Sequence, residues 1–337
     1  MSVNISRLWA PVFAKSAPLR RKDFPAPAPV VMTPGDSYLR LSVSQLFLAR
    51  QRSWGGDRIP AVQASVTMLF SGEKKPKTLA RLIRPEVTGG HAALANYPLT
   101  DWLPYQGQAV EIQASLYQII GRNNLLAAVD VVSEFASLIT PPGVSTAVSV
   151  ADKVAHGIDK FVKANARTAV LEVHDTLAPN TPTPVQPGSL AVVRAGDKEL
   201  PAERLELNEH GQLTRDGQAL AGHDYLVLRV DACQERPDWQ TPDIDKAIKA
   251  ARRAQARGKA KEYRSLADQA ITLLWESPDF TTQQQARLAK ALRDDFDEAR
   301  PQAAAQGDLT LKDIVDRGGL PSRGDVEGLT LEDLLLG

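Results

Sequence analysis

Ala61-Val62-Gln63-Ala64-Ser65-Val66-Thr67-Met68-Leu69-Phe70 sets Val62, Ala64, Val66, Met68 and Phe70 against Gln63, Ser65, Thr67 and Leu69. Successive side chains of a strand point to opposite faces, so this period of two predicts a strand with one apolar and one wet face. The same alternation precedes it, where Leu39, Leu41 and Val43 alternate with Arg40, Ser42 and Ser44. It recurs where Val110, Ile112, Ala114 and Leu116 alternate with Glu111, Gln113, Ser115 and Tyr117. A wet face on each run favours antiparallel pairing, because parallel strands are covered on both faces. Further strand patterns lie at Val170–Val173, Leu190–Val193, Leu205–Leu207 and Tyr225–Val230, with a turn signal at Asp216-Gly217. About seven short strands between turn signals predict a mainly β chain: an antiparallel β-sandwich, of which the C2-like arrangement is one form.

One stretch breaks the strand pattern. From Gly121 to Ala166 the apolar residues recur at three and four, as in Val144, Ala147, Val148, Ala151, Val154, Ala155, Ile158 and Phe161. That spacing predicts two helices joined at Pro141-Pro142-Gly143. Strand patterning resumes directly afterwards, so the hairpin is expected as an insertion covering an edge or open end of the sheets.

Outside the sandwich, residues 1–37 carry Pro18, Pro25, Pro27, Pro29 and Pro34 and read as an extended lead-in. After Pro237 and Pro242 the chain turns Ala-rich, predicting helices over Ile244–Gln255, Ala260–Glu276 and Thr282–Arg300, with a break at Gly258. The expected organisation is a lead-in over 1–37, a sandwich domain over 38–236 with the hairpin inserted at 121–166, a helical domain over 237–302, and a flexible tail over 303–337.

The tail holds an internal repeat. Leu309-Thr310-Leu311-Lys312-Asp313-Ile314 returns as Leu329-Thr330-Leu331-Glu332-Asp333-Leu334. In each copy Thr is placed to cap a short helix, with Asp near its positive end. Leu309, Leu311, Ile314, Leu329, Leu331, Leu334 and Leu335 must be buried somewhere. They either dock on the body or form a short amphipathic motif offered to a groove on another protein.

Lys+Arg and Asp+Glu number 40 each among 337 residues, so net charge implies no global attraction to nucleic acid or an anionic membrane. The one cysteine, Cys233, excludes an intrachain disulfide framework and fits a reducing cytoplasm. No secretory leader and no run of eighteen uncharged apolar residues is present, so the expectation is a cytoplasmic protein without a transmembrane segment.

Catalytic signatures are scarce. The five histidines lie far apart in sequence, and no Gly-rich phosphate loop, nucleophile elbow or calcium loop occurs, so no cofactor or metal is expected. His174-Asp175 and His223-Asp224 each adjoin a strand, and a fold joining them would make a His/Asp site. Cys233 lies too far along its strand from His223 for direct nucleophile–base contact. The sharpest charge feature is Lys246, Lys249, Arg252, Arg253, Arg257, Lys259, Lys261 and Arg264, a candidate phosphate-contacting surface centred on Lys249, Arg252, Arg253 and Arg257. Tyr263 is its only aromatic, which disfavours base stacking, and Asp294, Asp295, Asp297 and Glu298 are available to neutralise it.

These features favour a non-catalytic intracellular adaptor that binds another protein, with the sandwich as scaffold and the tail as docking motif. Two alternatives stay open: a peripheral membrane protein using the hairpin or the basic helix, and a hydrolase with a His/Asp site assembled across the sheet.

Overall fold

The computed structural model describes residues 19–26, 31–49, 52–53, 56–69, 76–83, 97–120, 169–177, 186–195, 199–236, 241–298 and 309–336. The hairpin expected over 121–166 lies outside them, as do His91 and His156.

The alternating runs form two sheets. One joins β1 (Leu19–Pro25), β2 (Ser37–Phe47), β6 (Tyr97–Pro98), β7 (Leu103–Tyr105), β10 (Gly188–Arg194) and β14 (Tyr225–Cys233) in the order β1-β10-β14-β2-β6, with β7 also on β2. The other joins β3 (Arg52–Ser53), β4 (Gly56–Met68), β8 (Val110–Ile120) and β9 (Ala169–Leu177) in that order, with β5 (Lys77–Ile83) on β4. Three short strands, β11 (Leu205–Leu207), β12 (Leu213–Arg215) and β13 (Gln218–Ala219), make a third sheet, turning at Asp216-Gly217 as its sequence predicts. Every strand pair among the described residues is antiparallel.

One hydrophobic core takes side chains from both larger sheets: Leu41 of β2, Leu228 of β14, Val66 of β4 and Ile112 of β8 all belong to it. A second core lies on the opposite side of the first sheet, where Ala191, Val193, Tyr225 and Val227 meet Leu200, Leu205, Leu213 and Leu220. Two covered faces explain why the sequences of β10 and β14 are apolar at consecutive positions rather than alternating.

Two expectations need correction. The faces of β4 and β8 read as wet are buried: Gln63 is 1% exposed, Ser115 0%, and Ser65, Gln113 and Tyr117 are buried with them. Alternation records the chemistry of each face, whereas exposure depends on what packs over it. The lead-in, too, contains a packed element. β1 pairs with β10 along its whole length, from Leu19↔Arg194 to Pro25↔Gly188. Pro25 sits at its last position, where a missing N–H costs an edge strand little.

The helical part follows its sequence closely. α1 (Pro242–Ala256), α2 (Ala260–Trp275) and α3 (Thr282–Asp297) match the expected segments. Pro242 begins α1 where no N–H is needed, Gly258 takes φ +69° in the turn, and the Thr281 side chain accepts from Gln284 N to cap α3. Their core contains Ile248, Ile271, Leu274, Phe280, Leu288 and Leu292. The tail adds α4 (Leu311–Gly318), a 3-10 turn at Gly324–Val326 and α5 (Leu331–Leu334).

Helices and sheets meet at Tyr38, fully buried on β2. Its hydroxyl accepts from Thr281 N at 2.9 Å and donates to Gln284 Oε1 at the start of α3. Around it, Gln283 N donates to Gly35 O (3.1 Å), and Arg287 reaches Glu235 across the same boundary (2.7 Å). Arg323 pairs with Asp36 at 2.8 Å.

Candidate functional site

The basic run divides once the helices are in place. Lys246, Lys249, Arg253 and Arg257 are spaced three, four and four apart, which sets them along one stripe of α1 about 16 Å long. Lys246, Arg253 and Arg257 are exposed, and Lys249 is half-buried. Lys261 and Arg264, exposed on the antiparallel α2, add two cations across the Gly258 turn. Lys259 is held by Glu262 at 2.7 Å. Arg253 and Arg257 lie at the C-terminal end of α1, where the helix dipole favours positive charge.

Arg252 does not belong to this surface, which corrects its assignment to the patch. It is 1% exposed, pairs with Asp295 Oδ2, donates to Asp295 O at 2.9 Å and to Gln255 Oε1 at 2.8 Å, and lies 5.0 Å from the Phe296 ring centre. Asp295 also pairs with Arg317 of α4. Helical phase explains the burial: positions 244, 248 and 252 share the face of α1 that carries Ile244 and Ile248 into the core.

Two of the acidic residues of α3 are engaged within that helix. Asp294 pairs with Lys290 at 3.1 Å and Asp297 with Arg293 at 2.8 Å, both within their own helix. Asp295 takes the inward-facing arginine of the basic run, and Asp313 of α4 lies within electrostatic reach of Lys249.

The tail leucines are used within the chain. Leu311, Ile314 and Leu334 are buried in the helical core, Leu329, Leu331 and Leu335 pack against it, and Leu309 is half-buried. Thr310 and Thr330 each form a capping box, with Thr310 N donating to Asp313 Oδ2 (2.8 Å) and Thr330 N to Asp333 Oδ2 (2.9 Å). These hydrogen bonds hold the Asp313 and Asp333 carboxyls below their ordinary range. Side chains of the body also clasp the tail backbone: Asp245 accepts from Leu311 N (2.8 Å), Asp268 accepts from Leu336 N (2.6 Å), and Arg293 donates to Leu334 O (2.8 Å) and Leu335 O (2.6 Å). Of the two fates expected for the tail leucines, docking on the body is the one seen over 309–336.

The two His-Asp pairs are not brought together. His174 faces Glu111 across β8 and β9, with Nε2 2.8 Å from Oε1. His223 lies 3.8 Å from Glu199, and Asp224 accepts from Ala49 N at 2.8 Å. Asp175 points to the opposite side of β9 from His174 and pairs with Arg21 at 2.9 Å. Among the described residues no three His, Cys, Asp or Glu side chains group as metal ligands would.

One titratable group escaped the sequence reading. Glu172, opposite Ser115 on the polar side of β8 and β9, has its carboxyl pushed up to about 7 by burial. A lone Glu within an apolar strand pattern was the available signal.

The sequence matches no protein-family model, and comparison with curated proteins finds no match.

Proposed function

We propose that this chain is a non-catalytic cytoplasmic adaptor whose contact surface is the cationic stripe on α1 and α2, engaging an acidic face of another protein. In this reading the two larger sheets form a sandwich of C2-like type that serves as scaffold, a view supported by the core they share. Docking of the tail leucines on the helices moves the proposed contact from the tail to the stripe. The carrying observation is that Lys246, Arg253, Arg257, Lys261 and Arg264 stay exposed on packed helices while Asp294 and Asp297 of α3 pair within their own helix. Such an arrangement steers an oppositely charged partner and sets its orientation.

A peripheral membrane role is the second reading, favoured by the single sign of the stripe. The one large apolar side chain exposed on these helices is Leu273, 40% exposed. It lies nine residues beyond Arg264, roughly the opposite side of α2 at about 100° per residue. With no apolar anchor beside the cations among the described residues, a protein partner is preferred over a bilayer.

The test compares full-length protein with a variant carrying Arg253→Glu, Arg257→Glu, Lys261→Glu and Arg264→Glu. A partner captured from source cells, purified and titrated, is expected to bind the first in a salt-dependent manner and the second at least about tenfold more weakly, with unchanged thermal unfolding. Equal binding by both overturns the assignment to the stripe. Salt-dependent sedimentation with phosphatidylserine vesicles, lost in the variant, would favour the membrane reading instead.

A further inference from the structure

We propose that the groove on α2 and α3 that holds residues 329–336 also accepts this segment from a second copy of the chain, so that two chains pair by exchanging it. The groove grips the segment in two ways. Leu334 enters the helical core, and Leu331, Leu335 and Leu336 pack against it. Side chains of the groove then bind the segment's backbone: Asp268 of α2 accepts from Leu336 N at 2.6 Å, and Arg293 of α3 donates to Leu334 O at 2.8 Å and to Leu335 O at 2.6 Å. The capping box of Thr330 and Asp333 closes inside the segment, so its helical turn forms whichever chain carries it. A segment from a second copy has the same leucines, the same backbone groups and the same cap, and it makes each of these contacts.

What ties the segment to its own groove is a single turn. Before that turn the chain is fastened to the body: Arg287 donates to Pro321 O at 2.7 Å, Arg323 pairs with Asp36 at 2.8 Å, and Val326 is buried. Leu329 N then donates to Val326 O at 3.2 Å, closing a β-turn with Glu327 at φ −66°, ψ 124° and Gly328 at φ +76°. Those angles are of type II, which calls for glycine at the third position. A Cβ on Gly328 would meet nothing within 4 Å, so the demand for glycine comes from the backbone angle and not from a neighbour. Extending this residue carries 329–336 away from its own groove and leaves the earlier anchors in place.

The closed monomer and the exchanged pair therefore share their groove contacts. They differ in the Gly328 turn and in the entropy of association. A short tether holds the chain's own segment at an effective concentration on the order of millimolar. The closed form accordingly dominates at low protein concentration, and exchange grows with concentration or with any change that opens the turn.

The experiment has two arms, both on the full chain. Sedimentation equilibrium compares the natural protein with Gly328→Val. A β-branched residue resists a positive φ, so this variant strains the closed form and spares the exchanged one. It should dimerise at least about tenfold more tightly than the natural protein, and adding Leu334→Asp should return it to monomer. The second arm follows the anisotropy of a labelled peptide of residues 328–336. Saturable binding to the Leu334→Asp chain is expected, at least about tenfold tighter than to the natural chain, whose own segment competes. Should Leu334→Asp fail to fold, Arg293→Ala replaces it in the first arm and should weaken the Gly328→Val dimer several-fold. Thr330→Ala replaces it in the second arm, where loss of the cap loosens the chain's own segment and should tighten peptide binding about fivefold. Three results would each overturn the proposal: Gly328→Val associating no more than the natural protein, a dimer indifferent to these further substitutions, or a peptide that binds the weakened chain no better than the natural one.

Discussion

The hydroxyl of Tyr38, in the first strand after the lead-in, accepts a hydrogen bond from the backbone N–H of Thr281, 243 residues further along the chain. It simultaneously donates to Gln284 Oε1. Burial pushes the phenol far above its ordinary value, so it stays protonated and keeps both roles across the accessible pH range. Thr281 in turn caps α3, so one side chain of the sheets fixes the start of a helix and with it the seat of the whole helical part.

Tyr38→Phe keeps the ring and removes only the hydroxyl. Two buried polar groups then lose their partner, which costs about 1–3 kcal/mol. The expected outcome is a lower urea midpoint together with faster amide exchange at Thr281 and in the first turn of α3. An unchanged midpoint would mean that apolar packing alone seats the helices.

Arg252 and Asp295 form the second long-range tie. Truncating one member of a buried ion pair strands the other, and about 3–5 kcal/mol is the usual loss. Arg252→Met should therefore destabilise strongly, although Arg317 remains beside Asp295. Combining Arg252→Met with Asp295→Leu should cost clearly less than the two single changes summed, because no charge is left buried. A double-mutant cycle on chemical denaturation measures this, and strict additivity would contradict the coupling.

The features legible in the sequence are those fixed by short-range geometry. The strand at Val62–Met68 follows from the pleat alone, and α1 to α3 follow from Pro242, Gly258 and the Thr281 cap. Thr310-x-x-Asp313 and Thr330-x-x-Asp333 cap their helices because a capping box closes within four residues. What escaped depends on distant parts of the chain. Gln63 and Ser115 are buried because their side of the sheet is covered, which local alternation does not encode. β1 carries Arg20, Arg21, Lys22 and Asp23 in a row, with no apolar period, and becomes a strand through pairing with β10. Arg252 looks like any other cation of its run until Asp295 is placed opposite, although its phase with Ile244 and Ile248 already set it on the inner face. Arg21 and Asp175, paired at 2.9 Å, lie 154 positions apart, and nothing in either neighbourhood announces the other.

The docked tail makes a stability prediction that a free tail would not. Leu334 is 2% exposed in the helical core, so Leu334→Ala should cost about 2–5 kcal/mol. Thr330→Ala, which removes only the cap, should cost about 1 kcal/mol. Ending the chain at Gly307 should lower the melting temperature by more than either. If thermal unfolding of the truncated protein matched the full chain, the tail would not be part of the folded helical unit.

Glu172 gives the stability a pH dependence of unusual sign. Burial raises its carboxyl to about 7, above the ~4.3 expected in the unfolded chain. The folded state therefore binds this proton more tightly, so its contribution is fully present below about pH 4.3 and is lost as pH rises through 7. Asp313 and Asp333, whose carboxyls are lowered by their threonine partners, act in the opposite direction and below the ordinary aspartate range, so the two effects occupy separate windows. Glu172→Gln keeps a neutral, isosteric side chain at every pH. Measured by urea denaturation, the variant and the natural protein should be about equally stable near pH 4, and the variant should become the more stable one by pH 8. A difference between them that stayed constant from pH 4 to 8 would show that Glu172 titrates as an ordinary surface carboxylate.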